Sequence, residues 1–229
     1  MSNLNFLHSG GNKVTLSAPA SNPSSDVNFK LPQSDGSSGQ FLKTDGSGAF
    51  SFASETADFV KIATATWSSA VSSVAVDSLD TSTYKYFIMI WNHKPSEQGR
   101  RINFRWRQNS SDQTTAAYDW NFGRYYGAST NYIAENADKV ELTDDMGHDL
   151  NEGCQLIFEI YPKTSVENGY HGNAVFWHGV YHENATYVRG ISGSAFYDGG
   201  TTYYPNGFKL YMNVGNLEMG NYVLYGVKR

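Results

Sequence analysis

Few residues in this chain are placed to do chemistry. Three histidines, His171, His178 and His182, fall close together and invite a metal reading. On a strand, residues four apart share a face but stand about 13 Å from one another, so one zinc ion cannot take both His178 and His182. A metal shared by three chains on a threefold axis stays open, and ordinary interface or surface histidines are the expectation. The segment Glu141-x-x-Asp144-Asp145-x-x-x-Asp149-x-x-Glu152, with Gly147 inside it, has the oxygen-rich character that suits calcium. Its spacing is not that of an EF-hand loop, and a solvated acidic turn is expected. Neither a metal nor a cofactor is assigned.

Sequence signals for catalysis are weak. There is no G-x-S-x-G elbow, no H-E-x-x-H and no glycine motif that would cradle a phosphate at a strand–helix junction. A glycosidase needs only two carboxylates placed in space, which a sequence leaves open. The expectation is a protein that is not an enzyme.

Aromatic side chains offer more. Trp120, Tyr125, Tyr126, Tyr132, Tyr203 and Tyr204 lie in segments rich in turns. An aromatic face is apolar while a tyrosine hydroxyl still hydrogen-bonds, which suits stacking on sugar rings. The candidate glycan- or receptor-binding set is Trp120, Tyr125, Tyr126, Tyr203 and Tyr204; a tyrosine-rich trimer interface or plain sheet packing is the alternative. In Arg100-Arg101-x-x-x-Arg105-x-Arg107, three arginines, Arg101, Arg105 and Arg107, share one strand face. They suit an anionic glycan, or better, acidic partners across a subunit boundary.

The elements that must hold these residues are β-strands. Aromatics reach 15% and charged residues only 17%, with 16 Tyr and 22 Gly, which leans towards an all-β protein with many turns. A net charge of -5 argues against binding nucleic acid through its phosphates. The single Cys154 leaves no intrachain disulfide, so packing or oligomerisation must stabilise the fold. The start, MSNLNFLHSGG, has no basic region followed by an apolar run, so no signal peptide is expected. The longest apolar run, Tyr86–Trp91, is too short to span a bilayer. A soluble product assembled in a reducing cytoplasm is expected.

Composition changes near Phe59. No Trp or Tyr precedes Trp67, and both are dense beyond it. The early stretch is Ser-, Gly- and Asn-rich, yet Val14-x-Leu16, Val27-x-Phe29-x-Leu31 and Phe50-x-Phe52 alternate as half-buried strands do. Two Asp-Gly pairs, Asp35-Gly36 and Asp45-Gly46, sit among short apolar pieces and predict hairpins with type I′ turns. These strands have almost no apolar surface to bury within one chain; three parallel copies would supply a buried face. The predicted division is 1–57, an extended arm, and 58–229, a β-domain. Its expected strands are Phe59–Thr66, Ser73–Val76, Tyr84–Asn92, Arg101–Gln108, Tyr118–Tyr126, Lys139–Leu142, Cys154–Tyr161, Asn173–His182, Thr186–Ala195, Phe208–Asn213 and Asn221–Val227. So many short strands suggest a sandwich or jelly roll.

Residues Lys13–Ala53 carry a resemblance. The matching residues are Ala18-Pro19-Ala20, Val27-x-Phe29-x-Leu31-Pro32, Gly39-Gln40-Phe41-Leu42-Lys43-Thr44-Asp45-Gly46-Ser47-Gly48 and Phe50-x-Phe52. This run resembles a motif of bacteriophage tail fibres and related trimeric virion appendages. The β-domain is similar to the end domains of such appendages at Tyr84–Ile90 with Lys94-Pro95-Ser96, and at Tyr222–Lys228. The resemblance implies an all-β homotrimer: an extended intertwined N-terminal shaft, then a jelly-roll-like β-sandwich head. It implies a virion structural protein, a short tail or capsid fibre for host attachment or fibre assembly. Its partners would be its own copies, other virion proteins through the N-terminal arm, and host surface polysaccharide. Nucleic acid and membrane insertion are not among the expectations. A capsid decoration protein and a non-catalytic carbohydrate-binding module or lectin are the alternative readings.

Overall fold

Short apolar pieces separated by glycine and serine can make only short ladders, and the first unit of the chain is built that way. The computed structural model describes residues 4–17, 19–21, 23–54, 57–125, 130–149, 152–164, 172–184, 187–200 and 203–229. It divides into two units, Met1–Thr56 and Ala57–Arg229. In the first, β1 (Leu4–Leu7) pairs antiparallel with β2 (Lys13–Leu16), and β3 (Phe41–Thr44) with β4 (Phe50–Ala53).

The Asp-Gly pairs do not form the expected type I′ turns. Of Asp45-Gly46, only Gly46 has a positive φ, 80°. A five-residue connection results, in which the Asp45 carboxylate accepts the N–H groups of Ser47 (2.7 Å) and Ala49 (3.0 Å). Gly36 serves a different need: the Phe52 ring lies against it, where a side chain would collide. Val27–Leu31 makes one parallel bridge, Lys30 to Ala49, instead of a strand. Phe29 there stacks on Phe50 with ring centroids 5.3 Å apart. Every residue of β1, β2 and β3 is exposed.

The second unit is all-β. In chain order its strands are β5 (Phe59–Trp67), β6 (Ser73–Val76), β7 (Tyr84–Pro95), β8 (Ile102–Gln108), β9 (Ser111–Asp112) and β10 (Tyr118–Tyr125). There follow β11 (Thr130–Ala137), β12 (Val140–Glu141), β13 (Cys154–Tyr161), β14 (Asn173–Asn184), β15 (Tyr187–Tyr197), β16 (Gly207–Met212) and β17 (Leu217–Lys228). Eight form one antiparallel sheet in the order β11-β10-β15-β14-β13-β7-β17-β5. The smaller sheet runs β12-β8-β16-β6, with β9 beside β8. Among the described residues there is no helix.

Alternation decides what each strand buries. Along β13, Cys154, Leu156, Phe158 and Ile160 point inwards, while Gln155 and Ile157 face out. Trp91, Phe158, Trp177 and Leu224 of the large sheet share one core with Phe104, Trp106, Phe208 and Leu210 of the small one. Each such side chain contributes about 1.5–3 kcal/mol by leaving water. Two polar groups that face this core find partners across it: the Trp177 indole donates to the Leu142 carbonyl at 2.8 Å, and the Tyr118 hydroxyl accepts the Trp106 N–H at 3.0 Å. Gly193 gives room to the Trp177 ring and to Phe122. The result is a sandwich-like pair of antiparallel sheets.

Two expectations about charge are corrected. Arg101, Arg105 and Arg107 find acidic partners within the chain. Arg101 meets Glu141 (3.1 Å), Asp144 (3.3 Å) and Asp145 (2.8 Å), Arg105 meets Asp138, and Arg107 meets Asp77 (2.8 Å) and Asp112. The Glu141–Asp145 part of the acidic segment is therefore an ion-paired cluster and not a merely solvated turn. Asp144 is buried and also receives Arg124 at 2.7 Å and the Tyr132 hydroxyl. With their charge already met by arginine, Glu141, Asp144 and Asp145 are poorly suited to a calcium shell of six to eight oxygens.

Candidate functional site: the outer face of the large sheet

The inward face of the large sheet is closed by the smaller sheet, which leaves its outer face open to a ligand. Register sets the side chains there. Asn121 of β10 lies between Ile133 of β11 and Ser194 of β15, and Ser194 lies opposite Phe176 of β14. One step along, Gly123 stands between Asn131 and Ser192. Together these residues and Tyr125 line a shallow groove. A second depression shares Asn121, Ile133, Phe176 and Ser194 with it, and continues to Asp119, Glu135 and Phe196. From Asp119 to Tyr125 the strip runs about 20 Å along β10 at roughly 3.4 Å per residue.

Its chemistry is amides, hydroxyls and rings. Tyr125 is 55% exposed, Phe176 48% and Phe196 44%. The Tyr125 ring folds back over Gly123 towards Asn131, into space that a side chain at Gly123 would fill. Asn121 donates to the Ser194 hydroxyl at 3.3 Å. No charged residue lines the Tyr125 half; Asp119 and Glu135 sit at the other end. Such a surface offers flat apolar faces for stacking and neutral donors and acceptors beside them, which is what an uncharged sugar chain requires. Towards the middle of the sheet the same face becomes apolar, with Ile157 directly opposite Ile90 and Val180 opposite Gln155.

The sequence-predicted site is only partly assembled. Tyr125 lies in the groove, and Tyr126 lies outside the described residues, as does His171. Trp120 points the other way, into the core, stacked on Phe122 at 5.8 Å. Tyr203 is buried too, edge-on to Tyr197 at 4.9 Å, and burial pushes its phenol well above the ordinary range. Their rings face protein and are not available for stacking on a ligand. Tyr204 is exposed with the Lys163 ammonium 5.7 Å from its ring, but does not line the groove. Tyr132 is half-buried against Phe122 at 4.5 Å. His178 and His182 fall on β14 four residues apart, as strand geometry demands.

Sequence reading missed Asn121, Asn131, Phe176, Ser192, Ser194 and Phe196. A signal was present in β14: Val175, Trp177 and Tyr181 fill one face while Phe176 and Val180 fill the other. An antiparallel strand that is apolar on both faces marks an outer face with work to do.

Cys154 and His93 meet inside the fold. His93 Nδ1 lies 2.9 Å from Cys154 Sγ and accepts the Trp91 indole N–H at 2.8 Å. Both side chains are buried. Burial drops the His93 imidazole to about 3 and raises the Cys154 thiol, so the pair is neutral. A nucleophile needs a thiolate, and a base needs an imidazole that titrates near neutrality. This pair is core packing.

No family model matches the chain, and comparisons with curated proteins and with solved structures find no match either.

Proposed function

We propose that this protein is a structural protein of a bacteriophage virion, a short homotrimeric fibre of the tail or capsid that takes part in host attachment or fibre assembly. One observation carries the reading. The first unit folds into hairpins, yet its apolar side chains, among them Leu7 (76% exposed), Leu31 (75%), Phe29 (68%) and Phe6 (55%), remain in water. Apolar strands of this length are not stable with both faces solvated. Three parallel copies wound into a shaft would cover them, and the tail-fibre-like motif lies in the same residues. The arm would join other virion proteins, and the second unit would be a jelly-roll-like head. Along its outer groove the head binds host surface polysaccharide without cleaving it. Stacking of about 1 kcal/mol per ring gives weak single sites, which three heads on one particle convert to tight attachment.

The groove by itself would equally serve a free carbohydrate-binding module; the arm is what separates the two readings. Light scattering on the purified chain tests the arm: a mass near three times 25.4 kDa is expected, and one near 25.4 kDa overturns the fibre. Pull-down on host cells, or on their purified polysaccharide, tests the head. Binding should weaken in Tyr125→Ala and Phe176→Ala while the mass stays unchanged. A trimer that binds no host surface would be a capsid decoration protein instead.

A further inference from the structure

Between β12 and β13 the chain is tied to both of its neighbours. Met146 N donates to the Arg100 carbonyl at 2.9 Å, Gly147 N to the His182 carbonyl at 2.8 Å, and His182 N to the Gly153 carbonyl at 2.9 Å. This connection carries His148, Asp149 and Glu152, whose ligand-type atoms all lie within 4.8 Å of one another. It differs from the rest of the acidic segment in how its charge is met. Glu141, Asp144 and Asp145 have arginine partners, whereas among the described residues no lysine or arginine pairs with Glu152.

Glu152 is also only 8% exposed. Its Oε2 accepts the Asp149 N–H at 2.8 Å, and its Oε1 is buried without any hydrogen-bond partner. A carboxylate held out of water in this way requires a counter-charge. The carboxylate rests against Gly147, in space that a side chain there would contest. A fourth donor atom stands nearby. Gln98 Oε1 lies 3.0 Å from His148 Nδ1 and accepts the His148 N–H at 3.1 Å, and the Gln98 amide nitrogen is anchored on the Glu183 carbonyl at 3.3 Å. Asp149 Oδ1 is 3.9 Å from the same Nδ1.

We propose that His148, Asp149 and Glu152 bind a divalent transition-metal ion of zinc's class, with Gln98 Oε1 beside them as a further ligand. One imidazole nitrogen with carboxylate oxygens suits zinc or manganese, whereas calcium asks for six to eight oxygens. Tetrahedral ligands on zinc stand roughly 3.4 Å apart, so the cluster must tighten. The half-exposed His148 and the exposed Asp149 can turn to close it, around the fixed, buried Glu152. The ion would clamp the β12–β13 connection to the β7–β8 turn through Gln98, and so stabilise the folded head by linkage.

The test is calorimetry and thermal melting of the full chain, stripped with chelator and titrated with Zn²⁺. One zinc per chain and a higher melting temperature are expected, with no response to Ca²⁺ at the same concentration. Losing a partner outside the first ligand shell costs about tenfold or more in affinity, so Glu152→Gln and His148→Ala should each weaken binding by at least that much. His148 is half-exposed, so its variant keeps the fold even if Glu152→Gln does not, and near-UV circular dichroism checks both. Absence of zinc binding overturns the proposal. So does binding that is unchanged in His148→Ala, since the ion would then sit on other histidines such as His178 or His182.

Discussion

In the β3–β4 hairpin Phe41 is 49% exposed and Phe52 40%, whereas in β13 Phe158 is fully buried. Both segments pair antiparallel. The difference lies in what stands behind them. β13 is the fifth strand of eight and has a second sheet beneath it; among the described residues β3 pairs with β4 alone. Backbone pairing alone therefore makes a ladder but not a stable fold, and stability comes from the apolar layer that the ladder faces. The second unit carries that layer in its own sequence. For the first, the proposed trimer would supply it from the other chains.

Deleting residues 1–57 tests the contrast most harshly. The particle mass should fall from three chains towards one, while the near-UV aromatic signal survives, because every Trp and Tyr lies beyond the cut. A signal lost with the arm would mean that the head is not autonomous. Next in size is Trp177→Ala. It opens a cavity between the sheets and should cost about 3–5 kcal/mol in denaturant unfolding, without altering the mass of the native particle.

Acid should separate the two units. His93 is buried neutral, with its imidazole moved from the ordinary 6.5 down to about 3. The unfolded chain takes up this proton first, so the stabilisation is complete above pH 6.5 and shrinks as the pH falls towards 3. The slope is about 1.4 kcal/mol per pH unit. His93→Gln should flatten that region of the head's pH–stability curve. Asp45 behaves differently. Its carboxyl is held below the ordinary 3.8 by the N–H groups of Ser47 and then Ala49, so its contribution is present above that pH. It is lost only as the pH falls further, through the lowered value. Between pH 6 and 4 the head should weaken while the β3–β4 connection does not, as amide exchange of Ser47 and Ala49 would reveal. Tyr125→Ala should have a milder effect, weakening polysaccharide binding by about fivefold for a lost stack of about 1 kcal/mol. Asp45→Ala should have the smallest, loosening the arm's connection and leaving head unfolding unchanged.

Strand positions are readable wherever aromatic or β-branched residues alternate. β6 and β13 match their expected ranges; β5, β7, β14 and β17 run longer than expected, and β8 and β12 are shorter. β11 is not among the expected strands, since its sequence, TNYIAENA, has one apolar residue, Ile133, on its outer face and only Tyr132 and Ala134 to mark the inner one. An edge strand borrows its structure from its neighbour and need not advertise it. The sorting of the aromatics is legible for some rings only. Tyr118, Trp120 and Phe122 share a parity that assigns all three to the core, and Tyr125 has the opposite parity. Tyr203 lies between strands, where no period applies; only packing against Tyr197 decides its burial. The arginine partners are not legible either. Asp77, Asp112 and Asp138 approach β8 through register and turns that no local pattern encodes.

The first strand of the head pairs with its last: β5 lies against β17, Val227 opposite Phe59, and the Lys228 N–H donates to the Asp58 carbonyl at 2.8 Å. The chain thus enters the head at one edge of the large sheet, and the groove lies at the other, on β11, β10, β15 and β14. If a receptor held the groove while the chain before β5 was pulled, tension would cross the sheet from strand to strand, along the line of its hydrogen bonds. Antiparallel ladders loaded in that direction unzip rung by rung instead of shearing together. The weakest rung would be the outermost, so β5 would peel from β17 at Phe59 first. The core between the sheets would stay closed, and the head would act as a mechanical fuse that yields at its tether before it releases its hold.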